Sequence, residues 1–249
     1  MYDLILLMGA AFAAGIVNTI AGGGTFLTFP ALVLTGMPPI LANATSAVAV
    51  FPGYLGGVVG FRAEIAQLDR RRLMLMTATA LLGGMAGGLL LLVSSDAAFA
   101  AIVPFLLIGA TAVFVWGDWL RAWLGRSARS ITPFGAVGLF LVSLYGGYFN
   151  GGLGIVLLAL FTMWGMADIH QMNGLKNAMS FAVSAVSVAV FALAGLVAWP
   201  QALAMMVAAT VGGYAGAPLS RLLPRAAVRT GIALAGFGTG AVFLWRLIA

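Results

Sequence analysis

Four clusters of polar side chains interrupt an otherwise apolar chain, and their types define the chemistry available to it. The first is Asn18, Thr19 and Thr25, around Gly22-Gly23-Gly24 in NTIAGGGTFLTFP, with Thr28 just beyond. The second is Asn43, Thr45 and Ser46 in LANATSAV. The third is Asn150 before Gly151-Gly152 in NGGLG, and the fourth is Asn173, Lys176 and Asn177 in MNGLKNAMS. Amides and hydroxyls donate hydrogen bonds without a charge that would trap a ligand, and an ammonium adds one attractive charge. This is chemistry for holding a small oxyanion reversibly. No acid, base and nucleophile cluster in sequence, and Cys is absent, so no catalytic set and no enzyme activity is implied. His170 has only Asp168 beside it, which makes no metal site, and no cofactor is implied.

Each cluster also has a purely structural reading. The glycines could be a notch where helices cross. Asn43 and Thr45 could cap a helix after Pro38-Pro39. Lys176, the only lysine, could snorkel to an interface. His170 is expected in a loop.

Composition decides the solvent. Of 249 residues 63% are hydrophobic and 7% charged, where a soluble domain carries roughly 25% charged residues. Mean hydropathy is +1.11. Most of the surface must therefore face lipid. The 34 glycines fit closely approaching membrane helices. Net charge is +6, but its Lys and Arg fall between apolar runs, where they set orientation in a bilayer and do not mark a nucleic-acid partner. The start, MYDLILLMGAAFAAGIVN, lacks a basic leader region and reads as a first helix.

Apolar segments fall at about 4–20, 25–36, 42–61, 73–93, 98–119, 131–148, 152–165, 175–198, 201–219 and 227–247. Most reach the length of about 20 residues that crosses hydrocarbon; 25–36 and 152–165 do not. The segments repeat. LLGGMAGG (81–88) matches ATVGGYAGA (209–217), GATAVFVW (109–116) matches GTGAVFLW (238–245), AGGGT (21–25) matches NGGLG (150–154), and Gly36-Met37 matches Gly165-Met166. Every pair is 129 positions apart, as in Gly83 to Gly212. The expected fold is an all-α polytopic membrane protein of two five-element repeats, residues 1–125 and 130–249, each with a Gly-broken short-helix region. The GxxxG pairs Gly83/Gly87 and Gly212/Gly216 read as packing faces, within one protomer or between two, so an oligomer is possible.

Arginine placement gives the orientation. Arg62, Arg70, Arg71 and Arg72 fill one connection whose counterpart, GLVAWPQAL, has none. The next pair reverses: VSSDAAFA has none, while SRLLPRAAVR carries Arg221, Arg225 and Arg229. With Arg121, Arg126 and Arg129 between the halves, the positive-inside rule makes the repeats inverted and puts both termini outside. The segments at 4–20 and 25–36 then both span or both dip and return, and the short second segment with Pro30 favours the dip. The helices after each break would aim their N-termini, with free N–H groups and positive dipole ends, at the break. The carboxylates, from Asp3 to Asp168, all fall near segment ends, which weakens a midplane proton relay.

At this point the residues carry a resemblance. GIVNTIAGGGTFLTFPALVLTGMPPILANATSAVAVFPGYLGG (15–57) resembles the N-terminal signature of the TauE/SafE family of membrane permeases, the sulfite exporter family, and NGGLGIVLLALFTMWGM (150–166) resembles its second copy. The resemblance covers the whole chain and implies export of sulfite or an organosulfonate such as sulfoacetate. It implicates Gly22, Gly23, Gly24, Pro30, Asn43, Thr45 and Ser46, with Gly151, Gly152 and Gly154 in the second copy. Where the family usually has a Pro in the second short helix and a Thr-Ser pair after it, this chain has Ala159 and Lys176-Asn177-Ala178, which bears on the substrate more than on transport.

The expectation is a secondary transporter in a cell membrane, the bacterial inner membrane by resemblance. It would alternate access around a mid-membrane anion site, with a proton or sodium as coupling ion. A passive anion channel and a non-transporting scaffold are the alternatives; the scaffold predicts apolar filling between the breaks.

Overall fold

The computed structural model describes residues 2–20, 23–127, 135–219 and 225–248. These form helices α1 (Tyr2–Ile20), α2 (Thr25–Leu34), α3 (Pro39–Gly60), α4 (Arg62–Ile65), α5 (Arg70–Val93), α6 (Asp96–Ser127), α7 (Ala136–Tyr148), α8 (Leu153–Met163), α9 (Ile169–Leu193), α10 (Trp199–Leu219) and α11 (Arg225–Ile248), with no strand among the described residues. The chain is an all-helical, multi-pass membrane protein. Of the described helices α5, α9 and the Asp96–Val113 part of α6 are long and apolar enough to cross a bilayer by length and composition. In contrast α2, α7 and α8, at 10, 13 and 11 residues, reach only about 15–20 Å, short of the roughly 30 Å of hydrocarbon.

Local chemistry sets the boundaries. Asp69 caps α5 by accepting from Arg72 N at 2.8 Å. Asp168 caps α9 by accepting from the N–H groups of His170 (2.8 Å) and Gln171 (3.3 Å). That cap starts α9 six positions before the apolar segment at 175, so His170 lies in the first turn of a helix and not in a loop. α3 begins at Pro39 after Pro38, with no side-chain cap; Asn43 and Thr45 lie inside the helix and cap nothing.

The two short helices end alike. At α2 the N–H groups of Thr35, Gly36 and Met37 donate to the carbonyls of Ala31, Val33 and Leu32. At α8 those of Trp164, Gly165 and Met166 donate to Leu160, Thr162 and Phe161, the same pattern 129 positions on. Both need a left-handed residue, and Gly36 (φ 87°) and Gly165 (φ 80°) supply it.

Packing partners also correspond: α1 lies on α10 as α7 lies on α5, α3 on α10 as α9 on α5, and α2 on α11 as α8 on α6. α3 and α9 pack on each other in the middle, where Phe51 and Phe181 stack 5.1 Å apart. The tightest approaches use glycine. A Cβ on Gly87 would overlap the Leu144 carbonyl of α7, and one on Gly212 the Phe12 carbonyl of α1. Phe29 joins Phe99, Phe149 and Phe243 in an aromatic cluster that ties α2 to α6, to the end of α7 and to α11.

Candidate functional site

The two glycine breaks meet inside the bundle. Gly152, held at φ 70°, would place a Cβ 3.1 Å from Cζ of Phe26, a residue of the first turn of α2. Ala110 of α6 closes the same spot at 3.2 Å. So the line between the breaks is filled by an aromatic ring.

Around the first break, Asn18 Oδ1 accepts from Gly24 N at 3.2 Å, which ties the end of α1 to the start of α2. The Asn18 amide also lies over Gly53 of α3. Gly23, Gly24 and Thr25 are buried. Thr28 Oγ1 lies 2.6 Å from Ser46 Oγ, both fully buried, joining α2 to α3. Thr45 Oγ1 accepts from Ala198 N at 3.1 Å and so fastens α3 to the loop before α10. The Thr19 side chain and Gly22 lie outside the described residues.

The second break is held from three sides. Asn150, at φ 61°, accepts from Tyr54 Oη at 3.2 Å and donates Nδ2 to Ser184 Oγ at 3.0 Å. Tyr145 Oη donates to the Gly151 carbonyl. Asn43 Nδ2 donates to the Tyr148 carbonyl at 2.9 Å, while its Oδ1 is buried without a partner. The asparagines named by the sequence are thus partly spent on shaping the breaks.

The first-turn donors of both short helices are also partly used. The N–H groups of Phe26 and Leu27 go to Gly23 O and Gly24 O, and those of Leu153 and Ile155 go to Asn150 O and Gly152 O. Gly154 N–H is buried and has no acceptor among the described residues, while the carbonyls of residues 21 and 22 that Thr25 N–H would reach lie outside them.

The fourth cluster lies on α9. Asn177 packs against Gly57 of α3, where a Cβ would collide with its amide. Lys176 is 9% exposed, with no hydrogen bond or ion pair among the described residues. Asn173 is half-buried on the same helix. The hydroxyls of Tyr54, Tyr145 and Ser184 escaped the sequence reading, because a lone Tyr or Ser in an apolar run carries no local signal. Ser180 and Ser184 did follow Lys176 at four-residue spacing, which was readable. No group of three His, Cys, Asp or Glu that could hold a metal occurs among the described residues.

The chain matches the family model described as Sulfite exporter TauE/SafE over residues 7–243. It is 27% identical over 235 residues to a "Probable membrane transporter protein" of Haemophilus influenzae, covering 94% of this chain and 91% of that one. It is 30% identical over 226 residues to "Probable membrane transporter protein YfcA" of Escherichia coli K12, covering 86% and 81%. "Probable membrane transporter protein ORF9" of a Sinorhizobium species is 28% identical over 222 residues. No solved structure matches the chain. Signature, helical bundle and relatives agree, and the chain belongs to the TauE/SafE sulfite exporter family of membrane transporters.

Proposed function

We propose that the protein carries a small oxyanion, sulfite or an organosulfonate by family resemblance, across a bacterial inner membrane by alternating access. The observation that carries this reading is an unpaired donor at the start of α8. Gly154 brings a buried backbone N–H, with no acceptor among the described residues, to the start of α8 beside the second break. A buried unpaired N–H is rare and costly, and an anion at that helix N-terminus would satisfy it.

The repeats are inverted on this reading. Support comes from the exchangeable packing partners and the identical helix ends of α2 and α8. The brevity of α7 and α8 supports a second-half hairpin that dips and returns, and the short α2 supports the same for the first half, where its partner α1 is longer at 19 residues. Both termini then lie outside, and the arginine-rich α3–α5 connection is cytoplasmic. Substrate would sit against Gly23, Gly24, Thr25, Gly151, Gly152 and Gly154, with Asn18, Asn43 and Asn150 shaping the cradle. A proton or sodium ion would drive the cycle.

The Phe26 ring between the breaks favours a carrier over an open channel. The same ring is what a scaffold would show, and transport separates the two. Proteoliposomes should show saturable uptake and counterflow for at least one of sulfite, thiosulfate, methanesulfonate and acetate. Absence of flux across that panel ends the transport reading, and flux without saturation or counterflow makes the protein a channel.

A further inference from the structure

One face of α9 carries an unbroken run of polar side chains. Projected at about 100° per residue, Asn173, Lys176, Asn177, Ser180, Ser184 and Ser187 fall within a single arc of about 100°, and from 173 to 187 nothing apolar falls in it. Lys176, Ser180, Ser184 and Ser187 are buried, so the stripe faces protein and not lipid. It lies between the α3 contact, at Gly57–Asn177, and the α5 contact, at Gly84–Val183. Polar side chains are rare inside a membrane protein and mark substrate paths when they line up.

The stripe leads to the second break. Ser184 Oγ accepts from Asn150 Nδ2 at 3.0 Å. One turn toward the α9 N-terminus, Ser180 Oγ is fully buried and has no partner. One turn further is Lys176, with none among the described residues. Lys176 is thus about 12 Å along the helix from Ser184. At that end α9 meets the arginine-rich connection: a Cβ on Gly174 would touch Phe61 and Ile65, and Phe61 lies beside His170. Arg62, Arg70, Arg71 and Arg72 are exposed there and outnumber the nearby carboxylates of Glu64, Asp69 and Asp168, which leaves that end positive.

The other half has no such stripe. The positions 129 earlier are Ala44, Ala47, Val48, Phe51, Leu55 and Val58, all apolar. The path is therefore one-sided in a chain whose two halves otherwise match.

We propose that Lys176 and Ser180, flanked by Asn173 and Asn177, form a staging subsite for a monovalent oxyanion between the α9 N-terminal face and the second break. The subsite serves only the access state open on that face. One ammonium with no ion pair among the described residues matches one negative charge, and the Ser180 hydroxyl supplies a second donor a turn deeper. This rests on the transport reading and adds to it a direction-dependent component outside the cradle of the breaks.

The test measures transport separately from each face, in inside-out and right-side-out vesicles, using whichever anion of the panel the unaltered protein carries. Lys176→Met should raise KM roughly tenfold on the α9 N-terminal face, the scale of a lost charge-assisted hydrogen bond, and change it less than about twofold on the other. Lys176→Arg should restore most of the difference. Ser180→Ala, which removes a single oxygen, should act on the same face and keeps the question answerable if Lys176→Met does not insert. Equal changes on both faces, or none, overturn the subsite while leaving transport intact. No flux in the unaltered protein removes the transport reading and the subsite with it.

Discussion

The ring tip of Phe26 stands where a Cβ on Gly152 would sit 3.1 Å away, so the first turn of α2 closes directly onto the turn that starts α8. Residue 26 follows one break and residue 152 belongs to the other. The contact makes each hairpin the stop for the other, and any passage between them must move that ring.

Gly152→Ala tests this stop. The residue is left-handed at φ 70°, and alanine there costs about 1–2 kcal/mol before any contact with Phe26 is counted. Thermal unfolding in detergent should show a loss of at least that size, and transport should fall further than stability does. Phe26→Ala should open a leak that does not saturate; a tight, inactive variant would show that the ring is not a gate.

The Thr28–Ser46 hydroxyl pair at 2.6 Å is a buried link between α2 and α3. Thr28→Val should strand Ser46 and destabilise by about 1–3 kcal/mol, whereas Thr28→Val with Ser46→Ala should recover part of that loss. A double-mutant cycle from detergent unfolding reads the coupling directly, and additive losses would deny the link.

Asn150 has a positive φ and uses both ends of its amide. Asn150→Gly keeps the backbone conformation but frees Tyr54 and Ser184. It should yield monodisperse protein with sharply reduced transport. Asn150→Leu adds strain and should reduce membrane-inserted yield as well. Wild-type transport by Asn150→Gly would reduce the asparagine to a turn residue.

Gly83 and Gly212, 129 positions apart, let α5 and α10 approach α7 and α1 at backbone contact. Leucine at either should force the pair apart, with similar losses of inserted protein from the two positions. Strongly unequal losses would count against equivalent halves.

Because the chain has no cysteine, single cysteines map its orientation cleanly. Arg70→Cys, at the exposed start of α5, and Ser95→Cys, in the exposed turn after it, should react with a membrane-impermeant thiol reagent from opposite faces, Arg70→Cys from the cytoplasm. Labelling of both from one face would refute the proposed orientation.

What the amino-acid order decided by itself is everything that local chemistry can express. Too few charges for a water-facing surface made it a membrane protein, runs of apolar residues located its helices, and Gly22–Gly24 and Gly151-Gly152 announced where two of them stop. Those signals lie within a few turns of chain, so no partner is needed to read them. Asp168 moved a helix start by six positions because a cap outweighs hydropathy at an end. Only the tertiary structure decided how the polar groups are spent. Asn150 reaches Tyr54 and Ser184, 96 and 34 positions away, and Asn43 reaches Tyr148 across 105. Whether an amide braces the backbone or stays open to a ligand depends on which distant helix lies over it. Helix crossing angles and side-chain volumes set that, and no short window of sequence contains them. The same dependence left Ser180 and Lys176 on a buried face with no partner among the described residues, although their spacing was in plain view.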